Sequence, residues 1–382
     1  MAKTSKVFKR IYLALRWVKF SAYSGFTYSM RRKTFDKNSV KSVFVFPLKR
    51  LGDAVLSIPA FRAIKESLPQ SRITVFAPSY VTDILERIPS IDSIIPYSSD
   101  SSFFQKARRV RKLFDNPFDL AVDLTCDYTI EGAVLSFLSG AGYRVGYDTW
   151  RRGFLFNRPV KHDTGPVHVI DEILNIVKSI GLDTDDKSLK ISASGEAIET
   201  ARKFLRFKDV KDKDLTIGIH PGGYYPTQRW LSERFAEAAD KLIEKHAAHV
   251  VLMGGPKEEE LVSRIKTRMT NRPIVFLNQP IGELLALIQS CHLLICNNSG
   301  PLHMATAVGT PTVSTMGPTL PERWWPQGDE HIVLRKDLSC MPCNQGRCRL
   351  KTLDCMKLIT VEDMLEAAED QLSRIKNILM KR

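Results

Sequence analysis

The sequence predicts an α/β fold: two doubly wound domains in tandem, preceded by a basic helical arm. Three observations carry this. Apolar runs rich in β-formers alternate with amphipathic helical segments from residue 42 onward, the rhythm of a parallel sheet with helices on both faces. A polar stretch, DTDDKSLKISASGE, interrupts that rhythm, and a second alternating series follows. Several strands end in polar, Gly-containing corners that open helices, and in such folds ligands sit at the carboxyl ends of strands.

The expected boundaries are an arm over 1–41, a first domain over 42–190, a second over 191–358 and a closing helix over 359–382. The arm holds eleven Lys or Arg and one acid, Asp36, so it carries +10 of the net charge of +14. Phe8, Ile11, Tyr12, Leu15 and Val18 recur at helical spacing, with Lys6, Lys9 and Arg10 turned away. That pattern reads as an interfacial basic helix on an anionic membrane surface, as a first helix packed on the body, or as a frayed tail. No apolar run is long enough to span a bilayer, and no signal peptide is recognisable. The expectation is a cytoplasmic protein, peripheral on the inner face of the cell membrane. Because the charge is confined to the arm, nucleic acid is not an expected partner.

In the first domain SVFVFPL, RITVFAP, SIIPYS, FDLAVDLT and YRVGYD read as strands, and KRLGDAVLSIPAFRAIKESLP opens the first helix. SYVTDILERIP, KARRVRKLF, EGAVLSFLSGAG and VIDEILNIVKSIGL read as further helices. In the second domain the strands are LTIGIH, HVVLMG, PIVFLN, HLLICNN and, as the last clear one, PTVSTMG. SERFAEAADKLIEKH reads as a helix with a Ser cap, and EEELVSRIKTRM, IGELLALIQSC, MATAVG and VEDMLEAAEDQLSRIKNIL complete the series.

Three corners carry chemistry. In Lys49-Arg50-Leu51-Gly52-Asp53 the glycine permits tight passage and Asp53 sits near a helix N-terminus. Alone, Asp53 reads as a capping carboxylate. In His220-Pro221-Gly222-Gly223, running to Gln228-Arg229-Trp230, the glycines bring N–H groups toward a ligand and Arg229 offers a phosphate partner. In Asn298-Ser299-Gly300-Pro301-Leu302-His303 the free N–H groups of the following helix form an anion site, with His303 one turn in. Neither a GxGxxG fingerprint nor a GxxxxGK[ST] loop is present, which argues against dehydrogenases and P-loop enzymes.

These pieces, in order, resemble one family. LGDAVLSIPAFRAIKESLP, FDLAVDL, LSGAGYRVGYD, HPGG…QRWLSERFAEAADKL, VVLMGGPKEEE and NNSGPLHMATAVGTPTVSTMGP are similar to the heptosyltransferases of lipopolysaccharide synthesis, glycosyltransferase family 9. The resemblance implies a GT-B fold of two facing Rossmann-like domains, the first binding acceptor and the second binding nucleotide sugar. It implies inverting transfer from a donor such as ADP-heptose to a lipid-linked saccharide, with no metal in catalysis.

The family's Gly-Asp motif falls on Gly52-Asp53, and a sugar hydroxyl needs a carboxylate base, so Asp53 is the candidate. Gly52, Gly222, Gly223, Gln228, Arg229, Asn298, Ser299, Gly300 and His303 are the candidate donor residues. The family's ribose-contacting acid lies among Glu258, Glu259 and Glu260. Two positions depart from the family: Gln228 replaces its Lys, and Asn298 replaces its Asp. Two alternatives share the scaffold, a nucleotide-sugar epimerase and a non-catalytic nucleotide-sugar binder. Finally, Cys340, Cys343, Cys348 and Cys355 begin with a CxxC spacing and read either as a structural metal site or as a loop of idle thiols.

Overall fold

The computed structural model describes residues 34–46, 49–112, 117–126, 129–162, 165–344 and 346–380. Most of the basic arm therefore lies outside the described residues. Its end is in place: Lys37, in a short 3-10 turn over Lys37–Ser39, donates its ammonium to the carbonyl of Gly181.

The first unit runs β1 (Ser42–Phe46), α1 (Leu51–Leu56), α2 (Ile58–Ser67), β2 (Arg72–Pro78), α3 (Thr82–Leu85), β3 (Ser93–Tyr97) and α4 (Phe103–Arg111). It continues through β4 (Leu120–Asp123), α5 (Glu131–Leu138), β5 (Tyr143–Tyr147), β6 (Arg158–Val160) and α6 (Val169–Lys178). The second unit runs α7 (Gly195–Phe207), β7 (Thr216–His220), α8 (Ser232–His246), β8 (His249–Gly254), α9 (Glu259–Arg268), β9 (Ile274–Leu277) and α10 (Ile281–Ser290). Then come β10 (Leu293–Asn297), α11 (Gly300–Val308), β11 (Thr312–Thr315), α12 (Pro321–Trp324), β12 (His331–Leu334), α13 (Asp354–Lys357) and α14 (Val361–Met380).

Each unit holds one six-stranded parallel sheet, in the orders β3-β2-β1-β4-β5-β6 and β12-β11-β10-β7-β8-β9. These are the same doubly wound order, and each reverses direction once, between β1 and β4 and between β7 and β10. The central strands are buried on both faces, as covered parallel sheets require: Val43, Phe44 and Val45 are wholly inaccessible, and so are Leu293 to Cys296.

The polar stretch after α6 does not stay unstructured. Its end caps α7, where the Ser194 hydroxyl accepts from the Ala197 amide at 3.1 Å. α7 then packs on α10. β12 follows β11, so PTVSTMG is not the last strand, and β6 adds an edge to the first sheet. Ser232 is not a cap: it lies inside the first turn of α8, whose cap residue is Leu231. α14 lies on α8 and on the β11–β12 side of the second sheet.

The two units touch along one face. α1 packs directly on α11. Asp83 accepts from the Gly282 amide at 2.8 Å, and the His168 ring lies 3.0 Å from the Trp325 carbonyl. Arg323 of α12 pairs with buried Glu172 of α6, which also holds His162. No helix among the described residues is long and apolar enough to cross a membrane.

Candidate active site

All three sequence corners flank the points where strand order reverses. β1 ends at the first corner, β7 at the second and β10 at the third. This is where the topology opens a crevice at the strand ends.

At the first corner Asp53 lies in the first turn of α1 and is half-buried. The cap residue is Arg50, so Asp53 does not serve as the cap. Burial and then the Asp53 carboxylate push the Tyr80 phenol above its ordinary value, so Tyr80 and Asp53 share one electrostatic environment. The Tyr80 hydroxyl donates to the Lys49 carbonyl. Lys49 reaches one oxygen of Glu131 at 2.8 Å and Lys106 the other, also at 2.8 Å, which ties the corner to α4 and α5. The Arg50 guanidinium lies 3.8 Å above the Tyr224 ring, a cation–π contact across the two units.

At the second corner the backbone runs close to side chains. A Cβ on Gly222 would lie 2.6 Å from His220 and 2.7 Å from Glu258, so only glycine fits. Glu258 turns into this corner, its carboxylate accepting from the Gly255 amide at 3.1 Å. Glu259 and Glu260 are exposed in the first turn of α9, so of the three acids only Glu258 meets the corner, and Glu259 does not. Arg229 donates from Nε to the Gly223 carbonyl at 3.0 Å. Gln228 accepts from the Tyr225 amide at 3.2 Å, a local capping bond.

At the third corner Ser299 caps α11 in position only. Its hydroxyl turns back to the Asn297 carbonyl at 3.2 Å and leaves the helix's first N–H groups without a side-chain cap. Gly300 opens the helix against α1: a Cβ on Gly52 would meet His303 at 3.0 Å and the Gly300 Cα at 3.3 Å. The carboxylate corner and the anion corner are thus in backbone contact. Asn298 donates to the Trp324 carbonyl at 3.1 Å, a bond that the family's Asp has no proton to make. His303 is buried, with Nδ1 unpartnered, and burial pushes its pKa down to about 3. His220 is held down to about 4 by the same cause. Both imidazoles are neutral near pH 7, so His303 brings no positive charge to the corner.

One organising residue escapes sequence reading: Asn297. It is wholly buried. Its side-chain oxygen accepts from the Trp230 amide at 2.9 Å and the Thr315 hydroxyl at 2.7 Å. Its NH₂ donates to the carbonyls of Pro221 at 2.7 Å and Gly222 at 3.0 Å. All four bonding positions are filled, and they lock the second corner to the third. The adjacent pair of asparagines is the only trace of this in the sequence. Tyr80 and Tyr224 were equally invisible, because their partners are distant in the chain.

The model of glycosyltransferase family 9 (heptosyltransferase) matches residues 107–354, well over half the chain. The chain belongs to glycosyltransferase family 9. The lipopolysaccharide heptosyltransferase 2 of Escherichia coli K12 is 26% identical over 304 residues, covering 75% of this chain and 85% of its own length. The lipooligosaccharide heptosyltransferase 2 of Haemophilus ducreyi is 26% identical over 302 residues, covering 75% and 86%. A crystal structure of a family 9 glycosyltransferase from Veillonella parvula superposes with a TM-score of 0.76 at 25% identity, covering 87% of this chain and 97% of that one. The GT-B reading of the two sheets stands with these matches, and family membership favours glycosyl transfer over the epimerase alternative.

In this glycosyltransferase Cys340, Cys343 and Cys348 lie in the loop that leads to α13, and Cys355 lies in α13 itself. Burial first, and then Cys343, Cys340 and Cys348, raise the Cys355 thiol to about 11, so the four sulfurs share a neighbourhood. The Cys348 thiol is lowered, first by the Leu353 amide and also by those of Leu350, Thr352 and Lys351. Among the described residues no group of three or more His, Cys, Asp or Glu is arranged to hold a metal ion.

Proposed function

We propose that this family 9 glycosyltransferase moves a heptose from ADP-heptose to a lipopolysaccharide core acceptor, with inversion and without a catalytic metal. The observation that carries the reading is the contact of Gly52 with Gly300 and His303, which sets a carboxylate beside a bare helix N-terminus. Asp53 takes the proton from the acceptor hydroxyl as its oxygen bonds to the sugar's anomeric carbon. The bond from that carbon to the diphosphate breaks, and ADP leaves with the electron pair. The growing phosphate charge meets the first N–H groups of α11, those of the Gly222-Gly223 turn and the Arg229 guanidinium. Glu258 would accept from the ribose hydroxyls. His303, neutral, contributes a ring nitrogen.

The basic arm would hold the enzyme on the anionic cytoplasmic leaflet, where such an acceptor is presented. The four cysteines have the chemistry of a structural thiolate site, but among the described residues no three of them stand in a metal-holding arrangement, so a metal there would have to draw the thiols together. Metal content near one per chain, lost in Cys343→Ser, is the expected result there; metal-free wild type removes that part.

The main reading is tested by donor and product together. ADP-heptose should raise the melting temperature more than UDP- or GDP-sugars, since only a ligand of the folded state does so. It should also yield a heptosylated acceptor. A preference for another nucleotide sugar in both assays would overturn the donor assignment.

A further inference from the structure

The basic helix α4 has an outer face that glycosyl transfer does not use. A capping box starts it: Ser102 Oγ accepts from the Gln105 amide at 3.3 Å, and the Gln105 side chain accepts from the Ser102 amide at 2.7 Å. Val110 is buried, and Phe103 and Ala107 pack on the cluster around Phe44, Phe76 and Tyr97. On the same inner side Lys106 lies 4.7 Å over the Tyr97 ring and bonds Glu131, which bonds Lys49 of the catalytic corner. The outer side is different. Phe104, Arg108, Arg111 and Lys112 are exposed, and at 100° per residue they fall on one face. Phe104 is 71% exposed. No acid occurs anywhere in FFQKARRVRK.

A solvated face has no need of a bare aromatic ring beside a row of cations, whereas an anionic bilayer accommodates both. We propose that the outer face of α4 docks on an anionic phospholipid surface, as a second attachment besides the arm. This rests on the reading that the acceptor is lipid-borne. The rigid tie from Lys106 through Glu131 to Lys49 would then hold the catalytic corner at a fixed height over that surface. One short cationic face gives weak, reversible attachment, and stable anchoring takes two such signals.

The test is cosedimentation of the full chain with phosphatidylcholine vesicles, with and without phosphatidylglycerol, in the absence of any donor. Wild type should partition onto the anionic vesicles. The pair Arg108→Gln/Lys112→Gln should lower that partition about 25-fold, at roughly fivefold per surface cation. Phe104→Ser should lower it severalfold. Arg202→Gln/Lys203→Gln removes the same charge from an exposed face of α7 and should change little. Equal loss in both pairs, or none in the α4 variants, overturns the proposal. So does unchanged vesicle binding with a raised KM for a soluble phosphorylated acceptor, since the face would then read acceptor phosphate. Because vesicle binding is read without turnover, its failure is distinct from a failure of the transfer reading.

Discussion

The β1 corner and the β7–β10 corners do opposite things with charge. The first gathers ionisable groups at the edge of water: Lys49, Arg50, Asp53 and Tyr80, with Glu131 between two lysines. The second pair is built mainly of glycines, two asparagines and two histidines that burial keeps neutral, with Arg229 and Glu258 as its charged groups. In the proposed reaction one side would supply a base that must change protonation. The other supplies fixed dipoles and an arginine, which need no reorganisation as charge develops. Placing both at topological reversals lets the two chemistries meet at a single backbone contact.

That division can be broken most severely at the contact. Gly52→Val puts branched carbons where even a Cβ lies 3.0 Å from His303. α1 and α11 must separate, and kcat should fall about 100-fold or more, since a displacement near 1 Å costs that much. Steady-state transfer on a variant that still melts cooperatively checks it. Next is Asn297→Ala, which strips four partners of their bonds inside the fold. A loss of about 3 kcal/mol in unfolding free energy is expected, with a raised donor KM, read by denaturant titration and kinetics. Smaller is Asn298→Asp. It restores the family's residue yet sets a carboxylate against the Trp324 carbonyl, so stability should fall by about 1 kcal/mol rather than rise.

The smallest effect is in pH. His220 and His303 titrate near 4 and 3 in the fold, below the unfolded value near 6.5. Between those limits the unfolded chain binds more protons. Their stabilising contribution is therefore complete above pH 6.5 and is lost as pH falls toward 4 for His220 and toward 3 for His303. Melting temperature should drop across that window, and His303→Gln should flatten part of the slope.

What the sequence made legible follows the same division. β1 and β10 were readable because strands buried on both faces leave continuous apolar runs, and their polar ends mark the corners. β6 and β12 were missed because Arg158–Val160 contains a proline and His331–Leu334 is a half-buried edge without alternation. α7 was hidden by a polar approach and small contact residues, Ala197 and Ala201. Arg229 and the α11 start could be named from local spacing, whereas Asp53, which alone reads as a capping carboxylate, could be named only through the family resemblance. Glu258 could not be separated from Glu259 without knowing where α9 begins, and Asn297, Tyr80 and Tyr224 act through partners that no local pattern connects.

The central claim is that Asp53 does the proton transfer while the second unit alone binds the donor diphosphate. The direct measurement is donor affinity and turnover in one variant, Asp53→Ala. Calorimetric binding of ADP-heptose should stay within a few-fold of wild type, while transfer falls by about 1,000-fold. Turnover near the wild-type rate would contradict the account, as would a collapse of donor affinity that matched the loss of rate.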